Sequence, residues 1–290
     1  MLVNLNKVLL PARQKKYGVG LFNALNSEMA RGIIGAAEKL RSPVIVGTAE
    51  VLLPFSPLEC VADVLIPKAK RASVPVVVHY DHGLTYDKCV EALKLGFTSI
   101  MYDCSTDSYA ENVRKVAELT RMAHAYGATV EGELGHVGDN EGSAEANPNA
   151  TVHTNARPED FYTDPKEAAD FVRKTHVDAL AIAVGTAHGA YKLPPKLDFE
   201  RIKKIRDTIP TPLVLHGGSG LSDEDFKKSI ACGISKINIF TDINAAAAKA
   251  AFVAYNEGVD AMTGIMNVQV EVIQYLAEEK MRLYGSAGKV

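Results

Sequence analysis

The segment VPVVVHYDHG, residues 74–83, changes abruptly from apolar to ionisable side chains. Its consecutive valines are typical of a strand that is buried on both faces, because β-branched side chains pack well on a covered, pleated sheet. His79, Asp81 and His82 follow at once, and a glycine ends the run. A buried strand with ionisable residues at its carboxyl end is typical of α/β folds that place a site at that end of the sheet. The rest of the chain decides whether other strands do the same.

Apolar runs of this kind recur along the whole chain, and segments with the hydrophobic period of a helix separate them. The runs occupy residues 18–24, 42–49, 74–80, 98–104, 128–135, 179–185, 211–217 and 235–241. Eight strands that alternate with helices are the count of a closed (β/α)8 TIM barrel. An open doubly wound sheet is the alternative, but no G-x-G-x-x-G motif follows the first run. We therefore predict an α/β TIM barrel in a single domain over residues 1–290.

Two segments exceed what a minimal barrel needs. Residues 136–165 form a polar connection rich in Gly, Asn and Pro, whereas barrel loops are usually about 2–6 residues long. We expect this connection to be functional, as a lid would be. Residues 244–284 have helical character, but the eighth strand needs a single helix after it. The additional C-terminal helices are expected to pack at the barrel bottom or on a second copy, which favours a homodimer or homotetramer.

Composition excludes several classes of partner. The net charge is −3 and the pI is near 6.3, so no electrostatic attraction to nucleic acid or to a membrane surface is expected. Apolar runs stay shorter than the ~18 residues of a spanning helix, and the N-terminus lacks a secretory pattern. The four cysteines form no C-x-x-C pair, which favours free thiols in the cytoplasm.

Three histidines, His82, His188 and His216, each follow a different predicted strand. Imidazoles that converge from three strands would form an open metal site with room for a substrate ligand. The alternative is that each is a surface or capping histidine. His79 lies inside its strand and is expected to be buried and hydrogen-bonded.

Two glycine and hydroxyl motifs follow the last two strands. HGGSG, residues 216–220, and NIFTD, residues 238–242, stand where many TIM barrels bind phosphate. Glycines allow backbone N–H groups to approach an anion, and Ser219 and Thr241 can add hydroxyl donors. An ordinary strand-to-helix turn is the alternative for the first motif.

Two carboxylates are candidates for proton transfer. Asp81 is adjacent to His82, and a carboxylate near a bound metal usually ligates it or moves a proton. Glu141 lies early in the long connection, from which it could enter the site with substrate. A solvated surface role is the alternative for Glu141.

Five motifs, in this order, resemble the class II, metal-dependent ketose-bisphosphate aldolases. They are H-x-D-H-G at 79–83, E-x-E-L-G-x-x-G-x-x-E at 131–141, G-T-x-H-G-x-Y-K at 185–192, H-G-G-S-G at 216–220 and N-I-x-T-D at 238–242. The resemblance covers about residues 1–285. It implies reversible cleavage of a ketose phosphate to dihydroxyacetone phosphate and an aldehyde, with a zinc ion stabilising the enediolate.

The resemblance also implies roles for particular residues. One catalytic zinc ion would be held by His82, His188 and His216. Asp103 and Glu133 match metal or supporting carboxylates, and a second divalent or monovalent cation is allowed. Asp81 would be the acid/base, and Glu141 would remove the proton from dihydroxyacetone phosphate. The implied substrate-binding residues are Asn23, Gly189, Lys192, Gly217, Gly218, Ser219, Asn238 and Thr241.

The chain departs from the family pattern on the aldehyde side of the substrate. Ala49 stands where the family usually has a serine, and residues 264–272 lack the arginine expected to bind the distal phosphate. Fructose 1,6-bisphosphate is the first expectation for the substrate. Tagatose 1,6-bisphosphate, or an aldol product of dihydroxyacetone phosphate with an unphosphorylated aldehyde, is the alternative. Arg157 or Arg282 is the other candidate source of positive charge.

Other classes of protein fit less well. A sugar-phosphate sensor would not need Asp81, Glu141 and the histidines together, and a zinc hydrolase would not need the phosphate motifs. A Schiff-base aldolase needs a lysine in the core. Lys236 is expected to lie at the start of the last strand, where it is a weak candidate.

Overall fold

The structure, a computed structural model, describes residues 1–139, 161–188 and 195–290. Eight parallel strands pair in chain order, and the last pairs with the first, so that the sheet closes. They are β1 (Val19–Asn23), β2 (Val44–Ala49), β3 (Val76–Gly83), β4 (Ser99–Tyr102), β5 (Thr129–Leu134), β6 (Ala179–Ile182), β7 (Leu213–Leu215) and β8 (Ile234–Ile239). Closure confirms the predicted TIM barrel and excludes the open sheet.

Helices surround the barrel, and several begin at the cap residues that the sequence offers. Asn26, Ser108, Asp164 and Ser222 each accept a hydrogen bond from a first-turn N–H group. The helices are α1 (Leu5–Lys15), α2 (Ser27–Leu40), α3 (Leu58–Arg71), α4 (Tyr86–Leu95), α5 (Tyr109–Ala125), α6 (Pro165–Thr175), α7 (Phe199–Thr208), α8 (Asp223–Cys232), α9 (Thr241–Asn256) and α10 (Met262–Leu283). A 3-10 turn, Glu50–Leu52, follows β2.

The amino end of the barrel is closed by α1. Leu5, Val8 and Leu9 are buried against strand residues that face the barrel interior, such as Leu21 and Val77. The backbone N–H of Leu5 also donates to the hydroxyl of Thr129, the first residue of β5, at 3.1 Å. A helix that precedes the barrel therefore closes its bottom with apolar side chains.

The C-terminal helices do not cover the barrel bottom, which was one of the two positions predicted for them. α10 packs along α2 and contacts α8, so it completes the outer ring of helices rather than covering the bottom. Its end is tied to the barrel because the backbone N–H of Gly18 donates to the carbonyl of Tyr284 at 2.9 Å. α9 is the helix in excess of the ring.

No helix in the described part of the chain combines the length and the apolar composition that a membrane span requires. The central part of the long polar connection, residues 140–160, lies outside the described residues.

Candidate active site

The end of β3 places two successive side chains in one cluster. In a regular strand, neighbouring residues point to opposite faces. Here His79 pairs with Ser99, Tyr80 with Ile100 and Gly83 with Tyr102, so β3 carries one extra residue, which is a β-bulge. Asp81 and His82 can therefore both contribute to the mouth of the barrel. The strand also runs to Gly83, three residues beyond the predicted end at residue 80.

The three predicted histidines meet at this mouth, and all are buried. The His82 and His216 rings have centroids 4.5 Å apart, and His188 lies 4.8 Å from His82 and 5.8 Å from His216. Nε2 of His82 and Nδ1 of His216 are 2.7 Å apart. Nitrogen atoms of three imidazoles thus converge from the end of β3, from the residue after β7 and from the short strand Ala187–His188.

Carboxylates orient two of the rings from behind. Nδ1 of His82 lies 2.9 Å from Oδ2 of Asp103. Nε2 of His216 lies 2.8 Å from Oε1 of Glu131. Such partners set the tautomer and the orientation of a ligating imidazole. Glu131 is the first residue of the E-x-E-L-G motif, but only the structure shows what it contacts.

Opposing charges strongly perturb this cluster. Burial lowers the pKa of His82, but Asp81, Asp103 and Glu133 outweigh it and raise that pKa to about 10. Burial and the nearby charge of His82 lower the pKa of His216 to about 4. Burial and Asp103 raise the pKa of Glu133 to about 8. So many negative groups around buried imidazoles favour a cation at this point.

The donor set fits a divalent metal such as zinc. Three imidazoles with room for a further ligand are the pattern of a catalytic zinc site. Oε2 of Glu133 is buried, has no hydrogen-bond partner among the described residues and lies 3.7 Å from Nδ1 of His216. His82, Asp103 and Glu133 form a second group whose ligand atoms converge. The site could therefore hold a cation at either of two overlapping positions.

Asp81 is held by two side-chain amides. Nδ2 of Asn23 donates to its Oδ2 at 3.0 Å, and Nδ2 of Asn238 donates to both oxygens at 3.0 and 3.1 Å. Burial would raise the pKa of Asp81, but positive charge on His82 and the hydrogen bond with His79 lower it well below its usual range. The carboxylate is therefore ionised and oriented, as a proton acceptor must be. Asn23 and Asn238, predicted to contact substrate, contact Asp81 here.

His79 is fully buried, as predicted, and its Nδ1 lies 2.7 Å from the hydroxyl of Ser99. Its Nε2 lies 3.6 Å from Oδ1 of Asp81, and burial lowers its pKa. His79 thus supports the proton acceptor from inside the barrel.

Lys236 differs from the prediction. It is the third residue of β8, not a residue at its start, and it is fully buried in the barrel. Its Nζ lies 2.8 Å from Oε2 of Glu131 and donates to Oδ1 of Asn238 at 2.8 Å. The expectation that this lysine lies at the start of the strand was therefore wrong. This amine therefore links Glu131, which contacts His216, to Asn238, which contacts Asp81.

The predicted phosphate loop passes close to the backbone of a neighbouring strand. Gly217 has a φ of +64°, and a Cβ at this position would collide with the carbonyl of Ala187. Gly218 is similarly close to the carbonyl of Asn238, which would lie 2.8 Å from an added Cβ. Ser219 is buried after these glycines. Glycine is thus required here for close approach of the chain, as the motif indicated.

Thr241, from the second predicted phosphate motif, is the first residue of α9. Its Oγ1 is buried without a hydrogen-bond partner among the described residues, and α9 has no side-chain cap. A phosphate oxygen can accept hydrogen bonds from the first-turn N–H groups of a helix and from a hydroxyl, so this helix start suits an anion.

Some predicted residues cannot be placed. Glu141, Gly189 and Lys192 lie outside the described residues, as does Arg157. Their roles remain predictions from the motifs.

Two positions, Ala49 and Arg282, bear on how the aldehyde half of the substrate could be bound. Ala49 pairs in register with Asp81, so a buried methyl group stands where the family pattern has a hydroxyl. Arg282 lies near the end of α10, which reaches the bottom of the barrel at Gly18. Its Nη2 is 3.7 Å from Oε2 of Glu278. Arg282 is thus at the opposite end from the site of its own barrel, and the prediction that it could serve there was wrong.

Comparisons with known proteins identify the family of the chain. Residues 3–289 match the family model described as fructose-bisphosphate aldolase class-II. The chain is 38% identical over 293 residues to a fructose-bisphosphate aldolase of Geobacillus stearothermophilus, covering 99% of this chain and 98% of that one. It is 40% identical over 281 residues to the uncharacterized protein YdjI of Escherichia coli K12, covering 96% and 95%.

Solved structures are also similar. The crystal structure of the YdjI aldolase from Escherichia coli K12 superposes with a TM-score of 0.87 at 35% identity, over 100% of this chain and 99% of that chain. A putative fructose-1,6-bisphosphate aldolase from Coccidioides immitis gives 0.88 at 27% identity, over 99% and 97%. The chain therefore belongs to the class II fructose-bisphosphate aldolase family, and it is a lyase.

Proposed function

We propose that the protein reversibly cleaves a ketose phosphate to dihydroxyacetone phosphate and an aldehyde, with zinc as its cofactor. The observation that carries this proposal is the convergence of His82, His188 and His216 beside the ionised, amide-held Asp81. A metal site alone would serve many reactions. A metal site next to an oriented proton acceptor and a glycine-rich anion loop suits an aldol cleavage.

The three histidines would hold the zinc ion, with Asp103 and Glu133 as further carboxylates near it. A bound zinc ion would supply Lewis-acid stabilisation of the negative charge that carbon–carbon cleavage develops. Glu131, held by Lys236, would fix the orientation of His216. These contacts preorganise the site before substrate binds.

Asp81 would accept the proton of the C4 hydroxyl as the carbon–carbon bond breaks, and would return it to the aldehyde oxygen in the reverse direction. Asn23 and Asn238 hold its two oxygens in place. Gly217, Gly218, Ser219 and Thr241 would bind the phosphate of the dihydroxyacetone phosphate half. On this proposal Glu141, Gly189 and Lys192 complete the site from outside the described residues.

Asp81→Asn tests the proton-transfer role. We expect kcat for release of dihydroxyacetone phosphate to fall by roughly 10²- to 10⁴-fold, the usual contribution of a general acid–base, while zinc content stays unchanged. Asp87→Asn, an exposed carboxylate in the first turn of α4, is the matched control and should retain activity. Retained activity in Asp81→Asn would remove this role. A wild type that releases no dihydroxyacetone phosphate from any ketose phosphate would instead favour a sugar-phosphate sensor.

For the substrate, fructose 1,6-bisphosphate is the first candidate and tagatose 1,6-bisphosphate the second. The Ala49 methyl beside Asp81 and the position of Arg282 at the far end of the barrel support a third candidate, a ketose 1-phosphate whose aldehyde half is unphosphorylated. The ratio of kcat/KM for fructose 1,6-bisphosphate and fructose 1-phosphate decides. A strong preference for the bisphosphate would contradict the third candidate.

Glu141 would remove the proton from dihydroxyacetone phosphate in the condensation direction. Glu141→Ala should abolish exchange of that proton with solvent while zinc remains bound. Normal exchange would remove Glu141 from the mechanism.

We also propose that residues 1–290 form a single domain and that the protein is a homodimer or homotetramer. We propose the cytoplasm as its location. Phe252, Tyr255, Met262 and Tyr275 of α9 and α10 are large and exposed, an arrangement that a second copy would cover. Sedimentation of wild type and Phe252→Glu tests this, because a monomeric wild type would contradict it.

A further inference from the structure

His82 has an unusual backbone. Its φ is +41°, in the left-handed region that residues with a side chain seldom occupy. Such a conformation persists when the surrounding structure holds it in place. The β-bulge at this residue is what turns the imidazole towards the cluster instead of the opposite face of β3. The contacts that hold the bulge therefore decide whether this ligand is available.

One carboxylate, from Glu50 in the 3-10 turn after β2, contacts the chain on both sides of His82, at Tyr80 within β3 and at two residues just after it. Its Oε2 accepts hydrogen bonds from the hydroxyl of Tyr80 at 3.1 Å and from the N–H groups of Leu84 and Thr85 at 2.8 and 3.1 Å. Its Oε1 accepts from the hydroxyl of Thr85 at 2.8 Å. The same side chain thus ties a residue before the bulge to two residues after it.

The neighbouring contacts leave little freedom to the intervening chain. Gly83 lies so close to β4 that an added Cβ would be 2.8 Å from the carbonyl of Met101. The carbonyl of Gly83 accepts a hydrogen bond from the N–H of Asp103 at 2.9 Å. β4 therefore restrains the bulge from one side, and Glu50 restrains it from the other.

Thr85 gives independent support. It is the N-cap residue of α4, yet its hydroxyl makes no capping bond to that helix and donates to Glu50 instead. Glu50 also accepts the N–H of Leu84 and Thr85, which precede the helix. The start of α4 is organised around Glu50 and not around its own cap.

We propose that Glu50 is a positioning residue for metal binding: it holds the bulge of β3 and thereby the left-handed conformation that points His82 into the site. The four hydrogen bonds that its carboxylate accepts from described residues come from Tyr80, Leu84 and Thr85, so it acts on His82 through the backbone on either side. Removal of its carboxylate allows residues 82–85 to relax towards regular strand geometry, which turns the imidazole away. The inference rests on the metal site of the proposed function.

Zinc affinity, measured by competition with a chromophoric chelator, tests this proposal. Glu50→Ala should weaken zinc binding by about 10- to 100-fold, the range for residues that orient metal ligands. Glu50→Gln should stay close to wild type, because its carbonyl oxygen replaces Oε2 and its amide can donate to the Thr85 hydroxyl. Glu59→Ala, an exposed glutamate at the start of α3, is the matched control.

The outcomes are distinct. Unchanged zinc affinity in Glu50→Ala, with wild-type binding intact, overturns the positioning role and leaves the proposed function standing. Failure of the wild type to bind zinc overturns the metal site and this inference with it. Equal weakening in Glu50→Ala and Glu50→Gln also overturns the role, because it would assign the effect to charge alone.

If Glu50→Ala does not fold, Tyr80→Phe and Thr85→Ala replace it, since each removes hydroxyl bonds to the same carboxylate. Both should weaken zinc binding in the same direction by a smaller factor. Wild-type affinity in both variants overturns the proposal.

Discussion

The two ends of the barrel are built from the same strands, but one end buries apolar side chains and the other buries ionisable ones. At the amino end, Leu5 and Leu9 of α1 form an apolar layer with Val77 of β3. Towards the carboxyl end, Glu131, Lys236 and His216 are fully buried, and His82 and His188 are only 7% and 6% exposed. Both ends exclude water, yet only one holds groups that would be more stable in it.

The difference shows where function constrains the fold. Apolar side chains at the bottom gain free energy from burial itself, about 25 cal/mol per Å² of apolar surface. Buried charges at the top are stable only through their mutual contacts, because an unpaired buried charge is strongly unfavourable. The carboxyl end is therefore sensitive to the loss of any one partner, whereas the amino end responds to lost volume.

The largest difference between the ends is expected in activity. His216→Ala removes one of the three converging imidazoles, and we expect kcat/KM to fall on the order of 10³-fold or more, since charge stabilisation at the reacting atoms is lost. His124→Ala, on the partly exposed helix α5, is the matched control and should retain wild-type activity. Wild-type activity in His216→Ala would contradict the site.

The second difference is in stability at the top. Lys236→Met leaves Glu131 buried without its cation, so the free energy of unfolding should fall by about 3–5 kcal/mol. Denaturant titration measures this loss. Lys39→Met, in which the exposed ammonium pairs with Glu278, is the control and should cost about 1 kcal/mol or less. An equal loss in both variants would contradict the account of the carboxyl end.

The third prediction concerns the bottom alone. Leu9→Ala should lower the free energy of unfolding by about 2–5 kcal/mol, because it removes buried methylene groups and leaves a cavity. kcat/KM per folded molecule should not change, since α1 is at the far end from the histidines. A matched loss of activity would show that the two ends are coupled.

The smallest effect lies outside the barrel, between α2 and α10. Burial would raise the pKa of Glu278, but hydrogen bonds from Lys39 and Gln274 lower it. The unfolded chain then binds more protons than the folded one, so this contribution is present above the ordinary glutamate pKa and is lost as pH falls through the lowered value. Wild type should exceed Glu278→Gln in Tm at pH 7 by a small margin that vanishes in acid. A margin that grows in acid would contradict this sign.

Much of the fold follows from the pattern of apolar runs. Strand count, closure and the order of the helices were predictable because buried parallel strands are continuous in Val and Ile. The closing of the bottom by α1 was not, since an amphipathic helix does not specify which surface it covers. The place of α10 beside α2 escaped prediction for the same reason.

In the site, the residue types at strand ends indicated which side chains would meet, and three histidines do meet. The bulge at His82 could not be predicted, because it arises from the pairing of β3 with β4 and not from local sequence. Lys236 was expected at the start of its strand, whereas it is the third residue of β8 and its side chain is fully buried among Glu131 and Asn238. The contacts of Glu50 could not be predicted either, because they depend on the bulge.

Release of dihydroxyacetone phosphate from a panel of ketose phosphates, before and after chelation and then with zinc restored, tests the central claim most directly. The account predicts activity in the untreated protein, its loss on complete metal removal and its recovery with zinc. Activity that persists in fully metal-free protein would contradict the claim that the carboxyl end of this barrel is a zinc-dependent aldolase site.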